Sequence, residues 1–170
     1  NGREELTTMV LIPQVRQSVR LPLIAAGGIA SGQAMVAAQA LGAEGVQIGT
    51  LFAACKESSA AEAFKEYCIK LGEEDTMLAL KKIAPSRLAK NSLYNKIKEA
   101  EDNGADATAL KNILGEKSTK RGIFEGDIEH GEIEIGQAVA AIKDIRTAGE
   151  IIAVLIKEYN DTLTKMSQLA

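Results

Sequence analysis

Two short apolar runs that each end in glycine constrain this chain more than any other feature. Leu21–Ala26 leads into Gly27-Gly28-Ile29-Ala30-Ser31, and Gly45-Val46-Gln47-Ile48 leads into Gly49-Thr50. About twenty residues of helix-like sequence lie between them. A strand buried in a parallel sheet reads as a continuous apolar run rather than an alternating one. Strand, helix and strand at this spacing make a βαβ unit with a parallel pair. In such a sheet the strand ends and the helix starts meet on one face, where helix amino termini present unpaired N–H groups.

Two glycine ends on that face predict one phosphate site. Gly27 and Gly28 lack a Cβ, so a phosphate oxygen can approach their backbone closely. Gly49-Thr50 offers the same at the next strand, with the Thr50 hydroxyl as an extra donor and a short turn, Leu51–Ala54, behind it. Lys and Arg are missing from residues 21–54, so backbone dipoles would supply the attraction. That suits the monophosphate of a cofactor better than a triphosphate. Sites of this kind form after the last two strands of a TIM (β/α)8 barrel. The plainer reading, a tight strand-to-helix turn, stays open at this level. A Rossmann fingerprint is disfavoured because Gly27-Gly28-x-x-x-Gly32 has the wrong spacing, and a Walker A loop lacks its Gly-Lys-Ser/Thr.

Composition narrows the function classes. The 170 residues suffice for one domain with a core, or a domain with an appendage. A net charge of −3 argues against general nucleic-acid binding, and 4% aromatics without Trp argue against a base-stacking platform. No apolar run approaches the roughly 20 residues that span a bilayer. Cys55 and Cys68 make no disulfide framework, and reduced thiols fit a cytoplasmic protein. One His and two Cys give no metal-ligand spacing.

Along the chain, residues 1–8 read as a polar loop ending in the cap Thr7-Thr8, and Leu11, Ile12, Val15 and Val19 follow helical spacing. Pro13 places the regular start of that helix near Leu11 or Ile12. Ser31 caps a helix over Gly32–Leu41 that Gly42 stops, and its Ala-rich, uncharged sequence predicts burial on most sides. Glu57–Leu71 reads as an exposed amphipathic helix with Ala61, Phe64, Cys68 and Leu71 on one face. Thr76–Lys82 alternates weakly, as a strand would. Asn91–Asn103 and Asp106–Leu114 read as helices. Gly115–Gly136 holds five of the fifteen glycines and reads as a functional or docking loop with little regular structure. Ala148–Met166 carries the apolar stripe Ala148, Ile151, Ile152, Leu155, Ile156, Tyr159, Leu163 and Met166. The expected fold class is α/β: two βα units over residues 1–55, a helical and loop region over 56–147 that inserts or acts as a lid, and an amphipathic helix over 148–170.

Taken together, Ala25-Ala-Gly-Gly-Ile-Ala-Ser-Gly32 and Leu41-Gly-Ala-Glu-Gly-Val-Gln-Ile-Gly-Thr50 resemble the nitronate monooxygenase (2-nitropropane dioxygenase) and enoyl-ACP reductase II family of flavin enzymes. Gly122-Ile-Phe-Glu-Gly-Asp127 and Gly131-Glu-Ile-Glu-Ile-Gly-Gln137 resemble its C-terminal part, nearer the enoyl-ACP reductase branch. The resemblance implies the C-terminal portion of a TIM barrel, the last two βα units, with FMN at its mouth and NAD(P)H as co-substrate. It implies cofactor contacts from Gly2, Ala26, Gly27, Gly28, Gln47, Ile48, Gly49 and Thr50. The family's catalytic His lies in a Gly-Gly-His segment that would immediately precede Asn1, so no catalytic residue is assigned here. The implied activities are enoyl-ACP reduction in fatty acid synthesis or, alternatively, nitronate oxidation. A non-catalytic fragment of such an enzyme is the third reading, because the N-terminal half of the barrel is not in this sequence. The implied partners are that half, a small-molecule or acyl-carrier-bound substrate, and a second copy in a homodimer.

Several residues are set aside. His130 reads as a solvated loop residue and Cys55 as packing. Lys81, Lys82, Arg87 and Lys90 read first as a solvated basic face, and second as a patch for an acidic carrier protein or a cofactor phosphate. The acidic stretch Glu125–Glu134 is a hinge, a lid or a dimer contact.

Overall fold

The structure, a computed structural model, describes residues 6–169. It is an α/β arrangement that runs α1 (Thr8–Ser18), β1 (Ile24–Ala26), α2 (Gly32–Ala40), β2 (Gly45–Gln47), α3 (Thr50–Ala53), α4 (Glu62–Lys70), β3 (Thr76–Ala79) and β4 (Ser86–Ala89). Then follow α5 (Ser92–Asp102), α6 (Ala107–Leu114) and α7 (Ala148–Ser167), with a π turn at Lys120–Phe124 and a 3-10 turn at Gln137–Ala141 before α7.

β1 and β2 pair in parallel, with Ile24 opposite Gly45 and Ala26 opposite Gln47. One face of the pair rests on a small core of Ile12, Ala25, Ile29, Ala38 and Ala43. The other face is open, and Ile24 is 55% exposed. α1 starts at Thr8, ahead of the position that Pro13 suggested, and Pro13 lies inside it. Thr7 makes no side-chain cap; instead the Thr8 hydroxyl donates to the Gly27 carbonyl at 2.7 Å. A tertiary hydrogen bond thus anchors the helix start beside the glycine turn.

α2 is capped as expected, with Ser31 Oγ accepting from the Ala34 N–H at 3.1 Å. Its burial is narrower than expected: Gly32, Val36 and Ala38 are buried, while Gln33, Ala37, Gln39 and Ala40 are exposed. Alanine favours a helix without needing cover, so an uncharged run does not by itself signal burial. α2 meets α7 at close range. A Cβ on Gly32 would lie 2.1 Å from the Tyr159 backbone nitrogen. Glu158 on α7 accepts from the Gly32 N–H at 2.8 Å, and the Tyr159 hydroxyl donates to Gln39 Oε1.

The region after α3 is more ordered than its sequence suggested. α4 begins at Glu62 and is well covered: Phe64 and Cys68 are fully buried, and burial pushes the Cys68 thiol up to about 12. Lys65 is buried too, and its Nζ donates to the Lys56 carbonyl at 3.1 Å. Thr76–Ala79 is a strand, and Ser86–Ala89, which weak alternation and Pro85 concealed, pairs with it antiparallel. Leu80 turns the chain between them at φ 59 and is nonetheless buried.

The glycine-rich stretch has little regular structure beyond the π turn and one bridge from Glu134 to Leu88, as expected, but its end packs into the core. Ala89 donates to Ile133 and Ile135 donates to Arg87, so Ile133–Ile135 covers the free edge of β4. Ile133 and Ile135 are buried with Phe64, Cys68 and Val139. A Cβ on Gly131 would lie 2.2 Å from the Gly122 Cα, so these glycines let two backbones touch. Glu132 is buried and accepts from the Thr119 hydroxyl.

α7 starts at a capping box in which Thr147 and Glu150 satisfy each other's backbone N–H groups. Glu57 adds a carboxylate to the Ala148 N–H at 2.8 Å, and that bond holds its carboxyl below the usual range. Of its apolar stripe, Ile151 and Leu155 are buried, whereas Ile152, Ile156, Leu163 and Met166 are exposed.

Candidate functional site

The carboxyl ends of β1 and β2 open into a cavity of about 1050 Å³. Ala26, Gly27, Gly28, Gly49 and Thr50 line it, together with Thr8 from the start of α1. Gly27 and Gly28 stand at φ +102 and +73, in the left-handed region that glycine adopts at little cost. A Cβ on Gly28 or Gly49 would meet nothing within 4 Å. Open space therefore lies directly over both backbones. Gly49 begins α3 without a side-chain cap, and Ala53 donates back to its carbonyl. The first N–H groups of this turn have no partner within the helix.

α2 contributes less than its position suggested. Its amino end is already satisfied by Ser31 and by Glu158, so it adds no free N–H at Gly32. Gln47 and Ile48 are not part of the cavity wall: Gln47 is exposed, and Ile48 packs into the core with Leu51, Phe52 and Met35. The strand ends at Gln47, and the turn into α3 carries Ile48 inward. Gly2 lies outside the described residues.

The opposite wall comes from the β3–β4 sheet and the segment after it, with Leu78, Arg87, Glu134, Ile135, Gly136 and Gln137. Gly136 brings this wall against the first, because a Cβ there would lie 2.8 Å from Thr50 Oγ1. Among the described residues of the wall, Arg87 is the one cation and Glu134 the one carboxylate. Arg87 sits directly opposite Leu78 across the hairpin, so the two side chains share a face. Its guanidinium is held by Thr76, which is buried and accepts from Nη1 through its carbonyl at 3.3 Å and its hydroxyl at 3.4 Å. The Glu134 carboxyl is raised above its ordinary value, first by the protein packed around it and then by Glu132.

The four basic residues that sequence places together do not form one patch. Lys82 donates to the Gly104 and Ala105 carbonyls after α5, while Lys90 is exposed just past the end of β4. Arg87 alone reaches the cavity. The signal that could have separated it is strand alternation over Ser86–Ala89, where Arg87 and Leu88 must face opposite ways. His130 pairs with Asp127 at the surface and is not part of the wall. Cys55 and Cys68 are buried free thiols. Among the described residues no cluster could hold a metal ion, and no helix is long and apolar enough to cross a membrane.

A sequence model of the nitronate monooxygenase family matches residues 1–158. A probable nitronate monooxygenase of Staphylococcus saprophyticus is 30% identical over 93% of this chain and 44% of its own. The solved structure of FabK from Thermotoga maritima is 38% identical with a TM-score of 0.91, over 98% of this chain and 53% of that one. A nitroalkane oxidase from Streptomyces ansochromogenes is 27% identical with a TM-score of 0.77, over 95% of this chain and 46% of that one. The chain thus spans about half the length of the relatives it matches. By sequence and by fold, with its glycine-ended strands at the mouth of one cavity, the chain belongs to the nitronate monooxygenase family.

Proposed function

We propose that the cavity is the phosphate end of an FMN site in an oxidoreductase that reduces the carbon–carbon double bond of an acyl thioester with NAD(P)H. The observation that carries this reading is the convergence of Gly27-Gly28 and Gly49-Thr50 on one open space that a Cβ would enter. The residues fit the group. The backbone N–H groups after β1 and at the start of α3, with the Thr50 hydroxyl, would hold the phosphate oxygens. Ala26 would lie along the cofactor, and Thr8 holds the glycine turn in place through the Gly27 carbonyl. When bound there, FMN would supply the hydride-transfer chemistry between NAD(P)H and the double bond, the reduction taking one hydride and one proton overall.

The C-terminal motif around Gly131–Gln137 supports enoyl reduction, as does the higher identity to FabK than to nitroalkane oxidase. The second reading is nitronate oxidation, which the family model and the curated relatives favour. Both place FMN in the same cavity, and both would draw on residues of the longer relatives that this chain does not span.

Anaerobic reduction separates the two. Bleaching of bound flavin by NADH or NADPH, followed by reoxidation on crotonyl thioester, is expected. Bleaching by a nitronate and not by either nicotinamide would overturn enoyl reduction. We further propose that the 170 residues alone bind FMN weakly, since the β1–β2 pair has an open face. Tight stoichiometric quenching of FMN fluorescence by the isolated chain would overturn that.

A further inference from the structure

Arg87 is a built feature for which the flavin reading has no use. The phosphate cradle contains no cation and relies on backbone groups. The cavity's one described cation stands instead on the opposite wall, in the middle of a sheet. β4, which carries it, is paired on one side with β3 and on the other with Ile133–Ile135. That is a rigid mounting for a long side chain. A buried Thr76 takes Nη1 through two acceptors. Nε and Nη2 have no partner among the described residues, and Arg87 itself is only half-buried in the cavity wall. A guanidinium with one edge fixed and the other free is arranged to take two oxygens of an anion side by side.

The free edge and the glycine cradle belong to facing walls of the cavity. Ile135, the ladder partner of Arg87, leads into Gly136, where an added Cβ would meet the Thr50 hydroxyl. Arg87 stands on the wall made by the β3–β4 sheet, and Gly27, Gly28 and Gly49 stand on the wall made by the β1–β2 ends. A ligand phosphate seated over Gly27, Gly28 and Gly49 has its own donors there.

We propose that Arg87 recognises a phosphate of the second ligand, the one that meets the flavin, while the glycine ends hold the flavin's own phosphate. The shared chemistry is a phosphate ester at the far end of that ligand. It is either the pyrophosphate of a nicotinamide dinucleotide or the phosphate of a pantetheine thioester. Thr76 is the positioning residue that holds the fork. This assignment rests on the flavin reading for the identity of the second ligand.

The test uses the purified full-length protein and its Arg87→Gln and Arg87→Lys variants. ADP-ribose and pantetheine 4′-phosphate serve as non-reactive probes in calorimetry, so that binding is read without turnover. Arg87→Gln is expected to weaken one of the two probes by about tenfold or more, as loss of a charge-assisted pair does. FMN content stays at the wild-type value. Arg87→Lys recovers part of the affinity, which a purely packing role would not predict. Which probe responds identifies the source of the phosphate. Unchanged affinity for both probes overturns the proposal. Loss of FMN with unchanged probe affinity also overturns it, and assigns the guanidinium to the cofactor. Failure of the flavin reading has a separate signature: wild-type protein that takes up no FMN, whatever the probes do.

Discussion

The β1–α2–β2 unit and the α4–α6 region hold together by opposite means. The first has a core of small residues, mainly Ala25, Ala38 and Ala43 with Ile12 and Ile29, and it leaves Leu21 and Ile24 at 74% and 55% exposed. The second buries Phe64, Leu88, Ile97 and Leu110 almost completely, with Ile133 from the later segment packed into the Phe64 cluster, and β4 is paired on both sides. The site's geometry and its stability therefore have different sources. The glycine turns are local and survive in an open sheet. The opposite wall of the cavity exists only because a dense core fixes β4 and Ile133–Gln137.

The largest test of this contrast is Phe64→Ala. It should cost about 3–5 kcal/mol, measured by urea unfolding, because a fully buried ring leaves a cavity. A loss below about 1 kcal/mol would mean that the second region is not the main source of stability. On the other side, Gly32→Ala should cost about 3 kcal/mol, at the upper end for an overpacked contact, since the new Cβ meets the Tyr159 backbone. Wild-type stability in that variant would show that α2 and α7 can separate freely.

Gly49→Ala probes geometry without stability. Its φ of −88 suits alanine and its Cβ meets nothing, so the melting temperature should hold. FMN affinity, read by fluorescence titration, should fall by about tenfold or more, a change of about 1.4 kcal/mol. Unchanged affinity would remove Gly49 from the site. Thr147→Ala should cost about 1 kcal/mol through loss of the α7 capping box. A neutral result would indicate that Glu57 alone suffices at that terminus.

The smallest effect concerns Glu134. Its carboxyl is raised by burial and by Glu132, so its protonated form is favoured in the folded state. That stabilisation is complete below the ordinary carboxylate value and is lost as pH rises through the raised folded value. Glu134→Gln should therefore match wild type near about pH 4 and melt slightly higher near about pH 7. A variant less stable than wild type near about pH 7 would mean that the charged carboxylate is stabilising where it stands.

How much was legible follows from how local each cue is. Ser31, Gly42 and the apolar run before Gly27 act within a few residues of themselves, and the strand, cap and helix stop they implied are present. Thr147 and Glu150 are just as local, but the capping box they form at the start of α7 emerged only in the structure, since the apolar stripe alone marked that helix. The hairpin strand Ser86–Ala89 was not legible, because its two apolar residues, Leu88 and Ala89, are adjacent and pack on opposite faces, and its second partner edge is Ile133–Ile135, some forty-five residues away. Gly122 and Gly131 looked like loop formers, since a sequence does not show which backbone will press against a missing Cβ.

By itself, then, the sequence determined the βαβ unit, the glycine ends of its strands and the family, because turns and caps are short-range chemistry and specific in combination. Only the tertiary structure decided what faces those glycines. It put Arg87 and Glu134 in the wall of one cavity, brought Gly136 across to Thr50, and closed α2 with a carboxylate from α7. Those placements depend on long-range pairing and packing, in which residues far apart in the chain share one surface.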